Sequence, residues 1–447
     1  MPKLRYIFSL LVAALCFNAG AAGTNLIVWH KAADRVDADV RGQPLWPLLE
    51  NIARQTGWRI YVEPGATRSI SAKFKNQPSD EALRMLFGDL SFARVPQTNS
   101  PTHLYVFRTT RQNATQLVSV LPRHAPNELL VKLKPGVDVD ALAKLLGAKV
   151  TGRLDKLGIY RLQFADAAAT ELALGKLQSN SDVTQVDYNY YLDPLPQMQA
   201  LASGTVPPLN LQLNPPPDSG KIVVGLIDTS VQSLGPDLDK FILKQLSDAG
   251  DAPTSTDIRH GTAMAYTILQ AIDLASGGSS SVQIQPVDVY GNNQQTTTWD
   301  VANGITIAVN NGANVLNLSL SGPGDSAILD SVISAAAADN VLIFAASGNQ
   351  PISTPTYPAA APGVIPVTAL GQPGQLAPYA NYWSDPGMIA MPGNSYVAFG
   401  GLTFFVQGTS VSTANATGAA AGNADAHQMT WPQIVTALQK RFAVPNK

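Results

Sequence analysis

One cysteine, Cys16, stands in 447 residues, so neither a disulfide framework nor a cysteine-based zinc site can form. Charge is also scarce. Only 14% of residues are charged and the formal net charge is −2, which excludes a globally basic nucleic-acid binder. Histidine occurs five times, at His30, His103, His124, His260 and His427, so imidazole chemistry has few places to reside. Past the N-terminus no apolar run is long enough for a membrane helix, and no transmembrane segment is expected. Hydrophobic residues, in contrast, make up 45%. That supply of core material excludes a disordered chain, and the length points to two to four domains.

Lys3 and Arg5 precede an apolar stretch from Tyr6 to Phe17, and Ala19-Gly20-Ala21 follows. Positive, apolar and small residues in that order read as a secretory signal peptide over residues 1–21. Cleavage after Ala21 removes Cys16, and a thiol-free chain suits an oxidising compartment. The expected location is outside the cytoplasm, periplasmic or secreted. The remaining charge is uneven: residues 22–126 carry a net +5, residues 127–195 a net −1 and residues 196–447 a net −8. A proline-rich stretch, 194–219, reads as an extended linker.

The region 24–112 alternates strand and helix signals. Val36, Ala38 and Val40 alternate as in a strand, and Leu45, Leu48, Leu49 and Ile52 fall at helical spacing. Short apolar runs follow at Trp58–Val62 and Ile70–Phe74. A second helix opens near Ser79, read as its N-cap, and carries Leu83, Met85, Leu86 and Phe87. Strands near Ser91–Val95 and Leu104–Phe107 complete a small α+β unit. Its phrases "GQPLWPLLENIARQTGWRIYVEP" and "ISAKFKNQPSDEALRMLF" resemble the short N-terminal (STN) domain of secretins and TonB receptors. That resemblance implies a non-catalytic interaction module with a partner in the cell envelope.

Residues 127–193 carry a β-α-β-β-α-β rhythm, the order of a ferredoxin-like split βαβ. Its strands are expected at Leu129–Leu133, Lys149–Leu154, Ile159–Phe164 and Val183–Tyr190. One helix is expected over Val139–Leu146, with Leu142, Leu145 and Leu146 on one side, and another from Ala168 to Leu177. "ELLVKLKPGVDVDALAKLLGAKV" resembles propeptides of subtilisin-like proteases.

From 220 to 447 buried-strand and helix patterns alternate, as in a mostly parallel α/β sheet. Ile222–Ile227 is an apolar strand ending at Asp228, and groups that do chemistry in such sheets sit at strand carboxyl ends. Alone, Asp228 also reads as a helix cap or turn residue. His260 precedes Gly261-Thr262 at a helix start, where a base can face a cleft instead of a core; alone, it also reads as a satisfied core histidine. "VLNLSLSG" and "VLIFAASGN" are strands ending in small residues, the second at Asn349. "FFVQGTSVSTANATGAAAG" sets Ser410 between a strand and a small-residue helix. There its backbone N–H points at a developing anion, although Gly-Thr-Ser is also an ordinary helix cap.

Strand–Asp, His-Gly-Thr–helix, strand–Ser-Gly-Asn and Gly-Thr-Ser–helix, in that order, resemble the motifs of subtilisin-like serine proteases. The spacings, 32, 89 and 61 residues, fit throughout, and "YPAAAPGVIPVTA" resembles the family's segment after its oxyanion asparagine. The resemblance implies an endopeptidase acting on proteins or peptides. Ser410 would be nucleophile, His260 general base, Asp228 its orienting partner and Asn349 an oxyanion donor. Ser319, Leu320, Ser321 and Gly322 would form the edge that takes substrate as an added strand. Ala359 would floor the P1 pocket, favouring medium apolar side chains. The 127–193 unit would be a propeptide, acting as an intramolecular inhibitor and cut somewhere between Tyr188 and Ala202. Two positions depart from the family pattern: Ser230 where it has glycine, straining a turn, and Ala414 where it has proline. These leave two other readings open, a catalytically weak peptide-binding protein and an envelope interaction protein in which proteolysis serves only maturation. No cofactor is required. Asp237, Asp239, Asp248 and Asp251 are candidate calcium ligands, but their spacing matches no recognisable loop.

Overall fold

The computed structural model describes residues 26–445 apart from 67, 98–100, 119–122, 194, 196–197, 202–205, 207–208, 217–219, 248, 250–256, 294 and 372–373. The expected signal peptide lies outside the described residues.

The first domain runs β1 (Leu26–His30), β2 (Arg35–Pro44), α1 (Leu45–Thr56), β3 (Arg59–Val62), β4 (Ser69–Pro78), α2 (Ser79–Phe87), β5 (Ser91–Val95), β6 (His103–Phe107) and β7 (Gln116–Leu117). One sheet is ordered β1-β2-β4, the other β5-β6-β3-β7. Val36, Ala38 and Val40 of β2 and Leu45, Leu48, Leu49 and Ile52 of α1 share one core, so period-2 and period-3.6 patterns bury their expected faces. Ser79 is not the cap of α2. Pro78, with its fixed φ, holds that place, while the Ser79 hydroxyl donates to Asp34 at 2.8 Å.

The second domain comprises β8 (His124–Leu133), α3 (Val139–Leu146), β9 (Lys149–Leu154), β10 (Ile159–Gln163), α4 (Ala167–Gln178) and β11 (Val183–Tyr190). Its antiparallel sheet is ordered β11-β8-β10-β9. Asp138 caps α3 by accepting from the amides of Asp140 and Ala141. The buried stripe of α3 is Val139, Leu142 and Ala143, with Leu146 packed beside it. Leu145 falls one step outside this stripe and is 80% exposed, contrary to its expected place on the inner face.

The stretch expected to be a free linker is partly docked. It contributes β12 (Gln199–Ala200) and β13 (Gln212–Leu213), both paired to strands of the third domain.

The third domain contains β14 (Val223–Asp228), β15 (Leu246–Ser247), α5 (His260–Ser276), β16 (Ser279–Ser280), β17 (Gln283–Asp288), α6 (Thr298–Asn310), β18 (Val315–Leu318), α7 (Ala327–Ala338), β19 (Leu342–Ala346), β20 (Val364–Leu370), β21 (Ile389–Pro392), β22 (Asn394–Phe399), β23 (Leu402–Gln407), α8 (Thr409–His427) and α9 (Trp431–Arg441). Seven strands, ordered β15-β17-β14-β18-β19-β20-β21, form one sheet with every neighbouring pair parallel. β14 and β18 are buried along their whole length, as strands covered on both faces must be. One core, with α5 and α8, lies on one face and a second, with α6 and α7, on the other.

Helices α5 and α8 touch so closely that two glycines of α8 are obligatory. A Cβ on Gly418 would stand 2.4 Å from the Ile268 carbonyl, and one on Gly422 2.8 Å from the Ala275 side chain. That contact aligns two helices whose first turns carry His260 and Ser410. On the other face the second domain caps two helix starts. Asp187 accepts from the Ser326 hydroxyl and the Ile328 amide, both at 2.9 Å. Asn189 accepts from the Trp299 amide at 2.9 Å. These side chains satisfy first-turn amides that would otherwise lack partners.

Candidate active site

β14 ends at Asp228, and α5 starts at His260 directly after an extended Arg259. Both oxygens of Asp228 lie 2.9 Å from His260 Nδ1, with the two side chains 1% and 3% exposed. A carboxylate only accepts, so the shared hydrogen is on Nδ1 and Nε2 is left as an acceptor. Nε2 is buried and has no partner. The Thr229 amide also donates to Asp228 Oδ1 at 2.7 Å, which fixes the carboxylate.

Ser410 is the second residue of α8 and is 3% exposed. Its hydroxyl donates to the Ser319 carbonyl at 3.1 Å, and the Ser319 hydroxyl donates back to the Ser410 carbonyl at 3.0 Å. The hydroxyl therefore rests on the expected substrate edge and not on His260. Gly408 precedes the helix with φ +153, and a Cβ there would come 3.3 Å from Asn349 Nδ2. Asn349 Oδ1 accepts from the Thr409 amide at 2.9 Å and the Thr409 hydroxyl at 3.2 Å. Its Nδ2 remains as the donor end, held in one orientation beside the start of α8.

The loop carrying Asn349 hangs on a residue that no pattern flagged. Asn381 accepts at Oδ1 from the Gln350 amide at 2.7 Å and the Ile352 amide at 3.3 Å. Its carbonyl accepts from the Ser347 and Thr368 hydroxyls, each at 2.7 Å. Asp288 also escaped notice. It sits beside Asp228 on β17 in parallel register, fully buried. Burial pushes its carboxyl up, opposed by the Gly291 and Tyr290 amides that donate to it.

The expected turn strain at Ser230 is not found: it is not among the residues with left-handed backbone, and the Arg259 guanidinium donates to its hydroxyl. A serine is accommodated because that turn does not demand glycine. Ala414 is buried within an uninterrupted α8.

The expected substrate edge is occupied by the chain itself. The Leu192 amide donates to the Thr296 carbonyl at 3.1 Å and the Asp193 amide to the Ser321 carbonyl at 2.7 Å. Leu192 is 5% exposed in the core that includes Leu320 and Ala359, and Leu195 packs on the same cluster. Gly322 departs from expectation in one respect: both its amide and its carbonyl pair with Tyr357, so Ser321 presents the group that the added strand uses. The Asp193 carboxyl is partly buried and pushed up by desolvation, against the pull of Arg54, Arg123 and Gln350.

Of the candidate calcium ligands, Asp248 and Asp251 lie outside the described residues. Asp239 accepts from the Ser233 hydroxyl and the Leu234 amide, and Asp237 pairs with Lys240. Among the described residues no three His, Cys, Asp or Glu side chains gather as metal ligands. No helix among them is long and apolar enough to cross a membrane.

A family model described as "Subtilase family" matches residues 219–445. The chain belongs to the subtilase family. Residues 112–189 match a second model, "Fervidolysin N-terminal prodomain". This subtilase is 32% identical over 208 residues to Subtilisin BL of Lederbergia lenta, which covers 45% of this chain and 75% of that one. An alkaline protease of Shouchella clausii is also 32% identical over 208 residues, 45% of this chain and 53% of that one. Fervidolysin from Fervidobacterium pennivorans, a keratinolytic enzyme related to subtilisin, shares the fold at TM-score 0.55 and 21% identity, covering 71% of this chain and 57% of that one. The epidermin leader peptide processing protease of Staphylococcus aureus does so at 0.54 and 17%, covering 70% and 92%. This subtilase is a serine peptidase preceded by a prodomain, and its substrates are peptides.

Proposed function

We propose that this subtilase is an exported endopeptidase made as an autoprocessed zymogen. In this reading Ser410 attacks the peptide carbonyl, and His260 takes its proton at Nε2 and returns it to the leaving amine. Asp228 holds the tautomer and stabilises the imidazolium. The Asn349 Nδ2 and the Ser410 amide donate to the tetrahedral oxyanion. Losing one such donor costs about 10²–10³ in rate, a value measured in subtilisin. The observation that carries the reading is the buried His260 Nδ1 held by both oxygens of Asp228, which leaves Nε2 open as a base.

The Ser410–His260 hydrogen bond forms on substrate binding. Antiparallel contacts repeat every second residue, so a substrate strand bonded to Ser321 as Asp193 is would set its residue two places on opposite Ser319. A substrate amide at that place takes the Ser319 carbonyl, and the Ser410 hydroxyl turns to Nε2. Residues 191–193 thus pair with this edge as a substrate strand would, which supports the prodomain as an intramolecular inhibitor. Leu195 is the medium apolar residue that a pocket floored by Ala359 is expected to accept. The first domain is proposed as an STN-like module, and export rests on the N-terminal sequence.

The test is to express the chain and its Ser410→Ala variant and follow intact masses. The wild type is expected to fall to fragments starting between Tyr188 and Lys221 while the variant stays whole. If both stay whole and a fluorophosphonate probe leaves Ser410 unlabelled, the enzymatic reading of these residues is lost and the peptide-binding alternative takes its place.

A further inference from the structure

The first domain does not stand apart from the cleft. The last turn of α1 reaches the loop after Asn349, where the Arg54 guanidinium donates to the Gln350 side-chain carbonyl. Gln350 and Asp193, the latter in the strand that pairs along the cleft, line one cavity with Arg54. Gln350 therefore stands where an arginine of the first domain and an aspartate of the inhibitory segment meet. Arg54 is held on its far side by Glu50 at 3.6 Å, and Glu50 is fixed by the Trp46 indole at 2.9 Å. A second contact lies at the start of the domain. Leu26 leaves its own domain's core and packs on Ala369, Ala377, Tyr379 and Ala380 of the peptidase domain. Between these two contacts a cavity of about 1550 Å³ is walled by Pro47 and Asn51 of α1, Asn127 of the prodomain, and Asp193, Asn349 and Gln407. All three domains thus close over the same end of the site.

We propose that the first domain is a second clamp on the peptidase, holding residues 191–193 in the cleft through the chain Arg54–Gln350–Asp193 and through Leu26. The prodomain seats the strand from one side by capping α6 and α7, and the first domain locks it from the other. The domain's binding partner is in the first instance the zymogen's own cleft, and anything that draws α1 away unlocks the strand. This inference rests on the reading of residues 191–193 as an inhibitory strand.

The test uses the full chain and the rate at which a fluorophosphonate labels Ser410. Arg54→Ala and Asp193→Ala are each expected to raise that rate about tenfold, the scale of one partly buried charge-assisted contact. The double variant is expected to be no faster than either single, because both remove the same link; Arg54→Lys, which keeps a charged donor, falls between. Leu26→Asp, whose side chain is outside its own domain's core, is expected to act in the same direction. Near-ultraviolet dichroism of the Trp29–Trp58 pair checks in each variant that the first domain is folded. Leu192→Ala provides the control for the inhibitory strand itself. If Leu192→Ala accelerates labelling and the folded Arg54 and Leu26 variants do not, the clamp is overturned and the strand stands. If none accelerates, both fall. Rates for the two single variants that multiply in the double overturn the Gln350 bridge.

Discussion

Leu192 is the side chain on which the latent state depends most. It is 5% exposed, packs with Leu320, Trp299 and Ala359 in one core, and its amide bonds to Thr296. Once the strand leaves the cleft, that side chain meets water, so truncating it weakens the docked state and leaves the released state almost unchanged. Leu→Ala at buried sites costs about 2–5 kcal/mol, the transfer term plus the unfilled cavity. The lower half applies here, because a strand at a domain boundary can settle into part of the space. At about 1.4 kcal/mol per factor of ten, a loss of about 2–3 kcal/mol raises the released fraction roughly 30- to 150-fold. The assay is fluorophosphonate labelling of Ser410 in freshly purified full-length Leu192→Ala, against wild type and Leu172→Ala, whose side chain is 70% exposed on the prodomain. Labelling should accelerate by that factor in the first and stay at the wild-type rate in the control. A wild-type rate in Leu192→Ala, with the melting temperature of the peptidase domain unchanged, would refute the claim that this strand blocks the site.

Three further outcomes follow from the same geometry. Asn381→Ala strands the amides of Gln350 and Ile352, at about 1–3 kcal/mol for each buried group; it should lower both the melting temperature and kcat, with KM nearly unchanged, and an unaltered kcat would remove Asn381 from the support of the oxyanion loop. Burial pushes the Asp187 carboxyl up and raises Asp330, beneath the prodomain, from 3.8 to about 6. Carboxyls with higher pKa docked than free bind more protons in the docked state, so docking strengthens as pH falls through that window and weakens as pH rises past it; exchange protection of the Leu192 and Asp193 amides, corrected for intrinsic rates, should fall between about pH 4 and pH 7. The bond after Leu195 leads into Pro196, whose nitrogen carries a ring and no hydrogen. Pro196→Ala should therefore add a fragment beginning at residue 196 that the wild type, cut at other bonds, does not yield.

How much of this was legible in the sequence depended on the distance over which each signal acts. Strands β9 and β11 and helix α3 were read with their observed bounds, because period, caps and turn glycines act within one element. The places of Asp228 at a strand end and of His260 and Ser410 at helix starts were legible because each lies in a short local motif. The buried side chains of β2 and α1 followed from periodicity alone. Leu145 did not, since three leucines on a short helix can satisfy two overlapping stripes and only the packed sheet selects one. Nor could the turn at Ser230 be judged by residue type, because the backbone just after it is held by the side chains of Gln245 and Thr262, 14 and 30 residues from the amides they accept from.

What stayed hidden is of one kind: polar groups that act across domains. Asp187 and Asn189 read as ordinary strand residues, yet they cap helices 139 and 110 residues away. Arg54 meets Gln350 across 296 residues, and neither belongs to a motif. The proline-rich stretch showed the same blindness, since composition reports the stiffness of a chain and not the surface that accepts it. Catalysis requires a few side chains at fixed local geometry, and that leaves a compact record in sequence. Latency requires only that surfaces from different domains agree in shape and charge, and single residues distributed over hundreds of positions meet that demand. A variant that preserves every catalytic motif can therefore still alter when the enzyme is active, and the residues that decide it lie at Arg54, Asp193 and Leu192 as much as at Ser410.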